Sequence, residues 1–120
     1  MARPDFSGEW TLNPDASTLS PVVAPVVRGG FVKIEHREPT VAVHLSINMD
    51  GNPFDARFQR STEWDGDVLV FLDKIPTPNG EMTIVFRYEL QEGGRRLRAA
   101  ERLRAPDREQ DNVWVFDRAG

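Results

Sequence analysis

Apolar and polar residues alternate with a period of two over several stretches of this chain. In TVAVHLSINM, positions 40–49, one parity holds only apolar residues: Val41, Val43, Leu45, Ile47 and Met49. The segment EMTIVFRYEL, positions 81–90, repeats the pattern. A period of two is typical of a β-strand with one buried face. The pattern therefore predicts strands that turn one face toward a core.

Turn-forming residues divide the chain into short segments of this kind. Asp50-Gly51, Asp65-Gly66 and Gly93-Gly94 separate runs that are rich in β-branched and aromatic residues. Most connections are short, so neighbouring strands are expected to pair as antiparallel hairpins. We predict an all-β fold, an eight-stranded antiparallel up-and-down β-barrel that forms a single domain over residues 1–120. The predicted strands cover 6–12, 31–37, 40–49, 53–64, 67–74, 81–91, 95–104 and 112–118.

The segment RRLRAAERLRA, residues 95–105, is ambiguous because it consists of strong helix formers. As a strand it would place Leu97, Ala99, Glu101 and Leu103 on one face, and on the other Arg96, Arg98, Ala100, Arg102 and Arg104. The preceding Gly93-Gly94 turn and the antiparallel neighbours favour the strand. We therefore predict a strand, with Glu89 among the residues facing the arginines across the hairpin.

The connection over residues 13–30 is longer than the others. Asn13 followed by Pro14 is typical of a helix N-cap with proline at the first helical position, so one short helical turn is expected there. The following SPVVAPVVRGG is apolar, yet its prolines suit neither a long helix nor a central strand. We expect this segment to fold across an open end of the barrel as a plug or lid.

Composition narrows the functional classes. The chain has 120 residues and a net charge of −4, which argues against a general nucleic-acid or anionic-membrane binder. It has no cysteine, so disulfides, thiolate catalysis and cysteine-ligated metals are excluded. No apolar run is long enough to span a membrane. The start, MARPDFSGEW, lacks the apolar region of a secretory signal, so the protein is expected to be either cytoplasmic or exported with its leader absent from this sequence.

Gly8-Glu9-Trp10 at the start of the predicted meander, and Arg118 at the end of its last strand, carry a family resemblance. With the eight predicted strands they resemble the calycins, the superfamily of lipocalins and fatty-acid-binding proteins. The fuller pattern of DFSGEWTLNPDAS, IEHREPTVAV, WDGDVLVF and VWVFDR more specifically resembles bacterial lipocalin-like proteins that are often exported. The resemblance implies that Trp10 seals one end of the barrel, with Arg118 packed over its ring and Gly8 beside them. The chain departs from the superfamily in its shorter length, its lack of lipocalin disulfides and the absence of a helix-turn-helix lid. The ligands of those proteins are therefore not carried over.

Large aromatic residues share faces of two predicted strands: Phe54, Phe58 and Trp64 on the fourth, and Phe86 and Tyr88 on the sixth. They are expected either to fill the core or to line an apolar cavity, since an eight-stranded barrel permits both. Arg60, Glu101 and His36 have the parity of inward-facing residues. They could orient a polar ligand group, form an Arg60–Glu101 pair, or lie at the barrel rim.

A metal or catalytic centre has weak support. His36 and His44 lie on adjacent strands, but their expected parities differ and a third close ligand is missing. We therefore predict no cofactor and no metal. The leading hypothesis is a monomeric or weakly dimeric protein that holds a small, mostly apolar or amphipathic molecule in its barrel, without catalysis. The alternatives are an enzyme that uses Glu101, Arg60, Tyr88 or His36, and a filled barrel with a structural or protein-interaction role.

Overall fold

The computed structural model describes residues 4–119 as a single antiparallel sheet. Residues 1–3 and 120, the ends of the predicted 1–120 domain, lie outside the described residues. The strands follow one another around the sheet in the order β4-β3-β2-β1-β9-β8-β7-β6-β5. Their bounds are β1 Gly8–Leu12, β2 Val27–Arg37, β3 Thr40–Met49, β4 Asn52–Ser61, β5 Trp64–Asp65, β6 Val68–Thr77, β7 Gly80–Gln91, β8 Arg96–Ala105 and β9 Arg108–Arg118.

The prediction of an all-β, antiparallel up-and-down fold is confirmed, with nine strands in the described chain instead of eight. The additional strand arises because the predicted strand 53–64 divides into β4 and the two-residue β5. Between them Thr62 leaves the ladder and donates its N–H to the carbonyl of Pro39 at 2.9 Å. Trp64 therefore belongs to β5 and not to β4.

β2 begins at Val27, four residues before its predicted start. A β-bulge between Val27 and Gly29 shifts the register, and β2 then pairs with β3 as far as Arg37. A Cβ at Gly30 would lie 2.4 Å from the carbonyl oxygen of Ser46, so a residue without a side chain lets these two strands approach. The long connection is consequently 13–26.

The segment with helix-forming composition is β8, so the prediction of a strand is confirmed. β8 pairs with β7 on one side and with β9 on the other, and Arg98 lies opposite Glu89 as expected. Leu97, Ala99 and Leu103 are buried. Pairing on both sides, together with this burial, outweighs an intrinsic helix preference that is small per residue.

The strands place all connections at two ends of the sheet. We call one end the mouth, which holds the connection 13–26 and the turns at 50–51, 78–79 and 106–107. The opposite end, which we call the closed end, holds the chain termini and the remaining turns. Core residues fill the closed end and the middle of the sheet, with Phe6, Trp10, Leu69 and Leu97 fully buried.

The connection 13–26, which we call the strap, contains turns. Oδ1 of Asn13 accepts the N–H of Ala16 at 3.1 Å, as a cap would, but the chain does not continue into a helix. The predicted helical turn is thus a hydrogen-bonded turn, and the helix assigned within the described residues is a 3-10 turn over Glu92–Gly94. None of the described residues belongs to a helix with the length and apolar character needed to cross a membrane.

The sheet curls until its two sides meet through side chains. β1 and β9 pair at its centre, but no backbone ladder joins β4 to β6 within residues 4–119. Arg60 of β4 and Asp73 of β6 instead form an ion pair at 2.9 Å, and the rings of Phe58 and Phe71 meet edge to face at 5.5 Å. The expected barrel is therefore a curled sheet whose sides are bridged by these contacts.

Candidate functional site

The curled sheet encloses a cavity of about 360 Å³. Its wall is mostly aliphatic and aromatic, with a few polar groups on β4, β6, β7, β8 and β9. The lining residues are Val23, Leu45, Ile47, Met49, Phe54, Ala56, Phe58, Arg60, Phe71, Asp73, Ile84, Phe86, Tyr88, Ala99, Glu101, Gln110, Asn112, Trp114 and Phe116.

Six of the eight residues predicted to bind a ligand lie on this wall. They are Phe54, Phe58 and Arg60 from β4, Phe86 and Tyr88 from β7, and Glu101 from β8. Alternation along each strand brings them to one face, and the curl of the sheet turns these faces toward one another. Phe54 lies near the mouth and is half exposed, at 51%.

His36 and Trp64 lie elsewhere, and their predicted place on the cavity wall is corrected. Both belong to a cluster at the closed end, where the His36 ring lies 6.0 Å from Phe6 and 5.6 Å from Trp64. Trp64 lies in β5, past the end of β4, and therefore at the closed end. His36 does face inward, but so near the end of β2 that the closed-end core covers it.

Hydrogen bonds hold the His36 ring within this cluster. The backbone N–H of Phe6 donates to Nδ1 at 3.2 Å, so the neutral ring carries its proton on Nε2. Nε2 lies 3.5 Å from the Glu38 carboxylate. His44 points to the outer face, where its Nε2 lies 2.8 Å from Asp55. Within residues 4–119 no three potential metal ligands of the His, Asp and Glu type come together.

Arg60 is engaged by an acidic partner that the sequence did not indicate. Its Nη2 lies 2.9 Å from Oδ1 of Asp73 and donates to Oδ2 at 3.1 Å. The guanidinium carbon also lies 4.6 Å from the ring centroid of Phe58 and 5.8 Å from that of Phe71. The suggested Arg60–Glu101 pair is therefore corrected to Arg60–Asp73, because β6, not β8, lies across from β4.

Glu101 receives two neutral donors from β9. Nδ2 of Asn112 donates to its Oε1 at 3.1 Å, and Nε1 of Trp114 donates to the same oxygen at 2.9 Å. Asn112 is 2% exposed, and its Oδ1 accepts the backbone N–H of Ser20 in the strap at 2.7 Å. The carboxylate is thus fixed in orientation by a buried amide that also reaches the strap.

Tyr88 is buried on the cavity wall between Phe71 and Phe86, whose ring centroids lie 5.0 and 6.1 Å from its own. Burial raises the pKa of the Tyr88 hydroxyl well above its usual value, and the nearby Glu101 carboxylate raises it further, against a smaller opposite effect of Arg60. Tyr88 is therefore a neutral hydroxyl at physiological pH, able to donate or accept one hydrogen bond.

Sequence reasoning missed three residues that determine the polar pattern of the cavity. Asp73 lies in β6. This strand is apolar on both faces near its start, so the sequence does not show which of its faces turns inward. Asn112 is the first residue of a predicted strand, where the face is least certain. Trp114 shares the parity of Phe116 and Arg118, and the structure turns it toward Glu101. Asn112, Trp114 and Phe116 lie on the same face of β9, and this shared face was the sequence signal that could have placed Trp114 and Asn112 on the cavity wall.

Gly8, Trp10 and Arg118 come together at the closed end. The guanidinium carbon of Arg118 lies 4.1 Å from the centroid of the fully buried Trp10 ring. Its Nη1 donates to the carbonyl of Ser7 at 3.1 Å, and its Nε donates to that of Gly94 at 3.0 Å. A Cβ at Gly8, where φ is +136°, would lie 2.5 Å from Nη1. Glycine at this position makes room for the guanidinium.

Comparisons with known proteins identify the fold. No protein-family model and no curated protein sequence matches this chain. The solved structure of the siderocalin Ex-FABP, described as having dual ligand specificities, matches with a TM-score of 0.63 and 11% identity over 95% of this chain and 74% of its own. Zebrafish ileal bile acid-binding protein in complex with cholic acid matches with a TM-score of 0.57 and 10% identity, over 95% of this chain and 98% of its own. The curled up-and-down sheet and these two similarities together show that this chain has the calycin fold.

Proposed function

We propose that this protein binds a small, mostly apolar or amphipathic molecule in the cavity of its curled sheet. The observation that carries the proposal is the cavity itself, about 360 Å³ of space surrounded by aromatic and aliphatic side chains. This volume is at the lower end of the range typical of ligand pockets, roughly 300–1,000 Å³. A filled structural barrel would instead pack these side chains together to the density of an ordinary core.

The two similar structures support a binding role without identifying the ligand. One is described by its dual ligand specificities, and the other contains cholic acid. At 10–11% identity they share the fold with this chain, so the chemistry of the ligand has to come from the residues of its own cavity.

The mouth provides a route between the cavity and solvent. Val23 of the strap lines the cavity, whereas its neighbour Val22 is 76% exposed. The strap therefore contributes one apolar side chain to the wall while crossing part of the opening. Phe54 lies on the same side of the molecule and continues the apolar lining outward.

Titration with the uncharged apolar dye N-phenyl-1-naphthylamine tests the proposal. We expect saturable fluorescence enhancement with one site per chain. The variant Ala56→Trp, which adds a large ring to the cavity wall, is expected to weaken dye binding by about tenfold or more. Ala42→Trp is the matched control, because Ala42 lies on the outer face of β3 next to β4. Lack of saturable binding to the unmodified protein, or an equal effect of both variants, would contradict the proposal.

A further inference from the structure

The charged groups on the cavity wall are not balanced. Within residues 4–119 they are Arg60, Asp73 and Glu101. Arg60 and Asp73 form an ion pair at 2.9 Å, and the guanidinium also packs on the faces of Phe58 and Phe71. The cation of the cavity is therefore already satisfied by an anion and by two aromatic rings.

Among residues 4–119, Glu101 has no such cationic partner. Both of its donors, Asn112 and Trp114, are neutral, and both donate to Oε1. In the described chain no residue donates to Oε2. The second oxygen of the carboxylate is thus an acceptor at the cavity wall, and its charge is not compensated by the protein.

Aromatic residues lie next to this carboxylate. Phe86 lies directly opposite Glu101 in the β7–β8 register, and the Trp114 indole contacts Oε1. Tyr88 lies one inward position from Phe86 and remains neutral because burial raises its pKa. A carboxylate next to aromatic residues is a favourable environment for an organic ammonium group, which can gain from both the charge and the ring quadrupoles.

We propose that the cavity is selective for organic cations, namely apolar amines whose ammonium group binds Oε2 of Glu101 while the apolar body packs against the aromatic wall. This inference rests on the proposed function and adds the chemical class of the ligand. An anionic head group would be repelled by Glu101, and the positive charge of Arg60 is already paired with Asp73. Selection against anions then follows from the arrangement of charges.

Three probes that share a naphthyl ring and differ in their head groups test the inference. They are 1-naphthylmethylamine, 1-naphthylmethanol and the carboxylate anion of 1-naphthaleneacetic acid, called the acetate below. Calorimetric titration at pH 7.4 compares a cation, a neutral donor and an anion of similar size. We expect the amine to bind about tenfold or more tightly than the alcohol, since a charge-assisted hydrogen bond is stronger than a neutral one. The acetate is expected to bind most weakly.

Two variants of the cavity change the charge in different ways. Glu101→Gln keeps the size and an acceptor for Asn112 and Trp114, and should bring amine affinity down to that of the alcohol. Asp73→Asn leaves Arg60 without its anion and should raise acetate affinity while lowering amine affinity. Glu81→Gln, at an exposed site of β7, is the matched control and should preserve the order of the three probes.

The outcomes separate the two proposals. If the alcohol and the neutral dye bind but the amine gains nothing, or if Glu101→Gln leaves amine affinity unchanged in a folded protein, the cation inference is overturned and the binding function stands. If neither the dye nor any naphthyl probe binds, the proposed function fails and the inference fails with it.

Discussion

The backbone N–H of Ser20 donates to Oδ1 of Asn112 at 2.7 Å, so a buried side chain of the cavity wall holds the strap at the mouth. The amide is fixed in orientation because its Nδ2 donates to Glu101 at 3.1 Å. Beside it, Thr18 and Val113 exchange two backbone hydrogen bonds of 2.8 and 2.7 Å. The strap is therefore attached to β9 through both backbone and side chain, and its position is coupled to that of the cavity carboxylate.

We expect Asn112→Leu to destabilise the protein by about 1–3 kcal/mol, because it leaves the Ser20 N–H without its acceptor and Glu101 without one donor. Chemical denaturation measures the loss. Hydrogen exchange of the Ser20 amide should accelerate at the same time. Gln110→Leu is the matched control, since Gln110 lines the same cavity two residues earlier on β9 and its side chain makes no hydrogen bond to the described residues. A protected Ser20 amide in Asn112→Leu would contradict the role assigned to the side chain.

At the closed end, Arg118→Ala removes both the stack on Trp10 and the hydrogen bonds to Ser7 and Gly94. We expect a loss of about 1–3 kcal/mol in the free energy of unfolding. Arg108→Ala is the control, because Arg108 is exposed at the other end of β9 and its change should stay within about 0.5 kcal/mol. Equal denaturation midpoints for the two variants would show that the stack contributes nothing to stability.

The parts of the fold that follow from the sequence are those set by alternation and turns. The period of two in β3 and β7 was enough to define their inward faces, and hence the places of Phe86 and Tyr88 on the cavity wall. For β8, the preceding turn and the antiparallel neighbours predicted a strand although its residues favour a helix. Even the residues of the closed end, Trp10 and Arg118, are brought together by a pairing that the meander implies.

What the sequence did not indicate depends on position along the sheet and on contacts between distant strands. Parity puts Trp64 on the inner face with Phe54 and Phe58, but it does not show how far along that face the cavity extends, and Trp64 packs with Phe6 and His36 at the closed end. The partner of Arg60 depends on how far the sheet curls, which brings β4 to β6. No local pattern records that curvature, so Asp73 was missed and Glu101 was offered as the partner.

The carboxylate of Asp117 links the strap to β8. It also makes the free energy of unfolding depend on pH in the acidic range. Nδ2 of Asn13 donates to it at 2.9 Å and Nε of Arg96 at 3.0 Å, and these bonds lower its pKa below the ordinary value of 3.8. The unfolded chain therefore takes up a proton first as the pH falls, so the stabilisation is complete above the unfolded pKa and is lost as the pH falls through the folded one.

The variant Asp117→Asn tests this linkage. We expect it to be less stable than the unmodified protein at pH 7, with a difference that narrows as the pH is lowered below about 4. Denaturation curves recorded from pH 7 to pH 2.5 measure the change. Asp15→Asn is the control, because the Asp15 carboxylate makes no hydrogen bond or ion pair with other residues of the 4–119 range and its removal should leave the acid dependence unchanged. A constant difference between Asp117→Asn and the unmodified protein across this range would contradict the linkage.

Tyr88 is expected to make the free energy of unfolding depend on pH in the alkaline range. The ionisation of Tyr88 can be followed directly, because it is the one tyrosine in the sequence. Its folded pKa is raised by burial and by Glu101, so the unfolded chain loses the phenolic proton first as the pH rises past about 10. Stability should therefore fall above that pH. Tyrosinate absorbance near 295 nm should appear together with unfolding, and Tyr88→Phe, which keeps the ring, should flatten the alkaline decline. Tyrosinate absorbance with a midpoint near pH 10 in a protein that is still folded would show that the hydroxyl is open to bulk water and does not lie on a dry cavity wall.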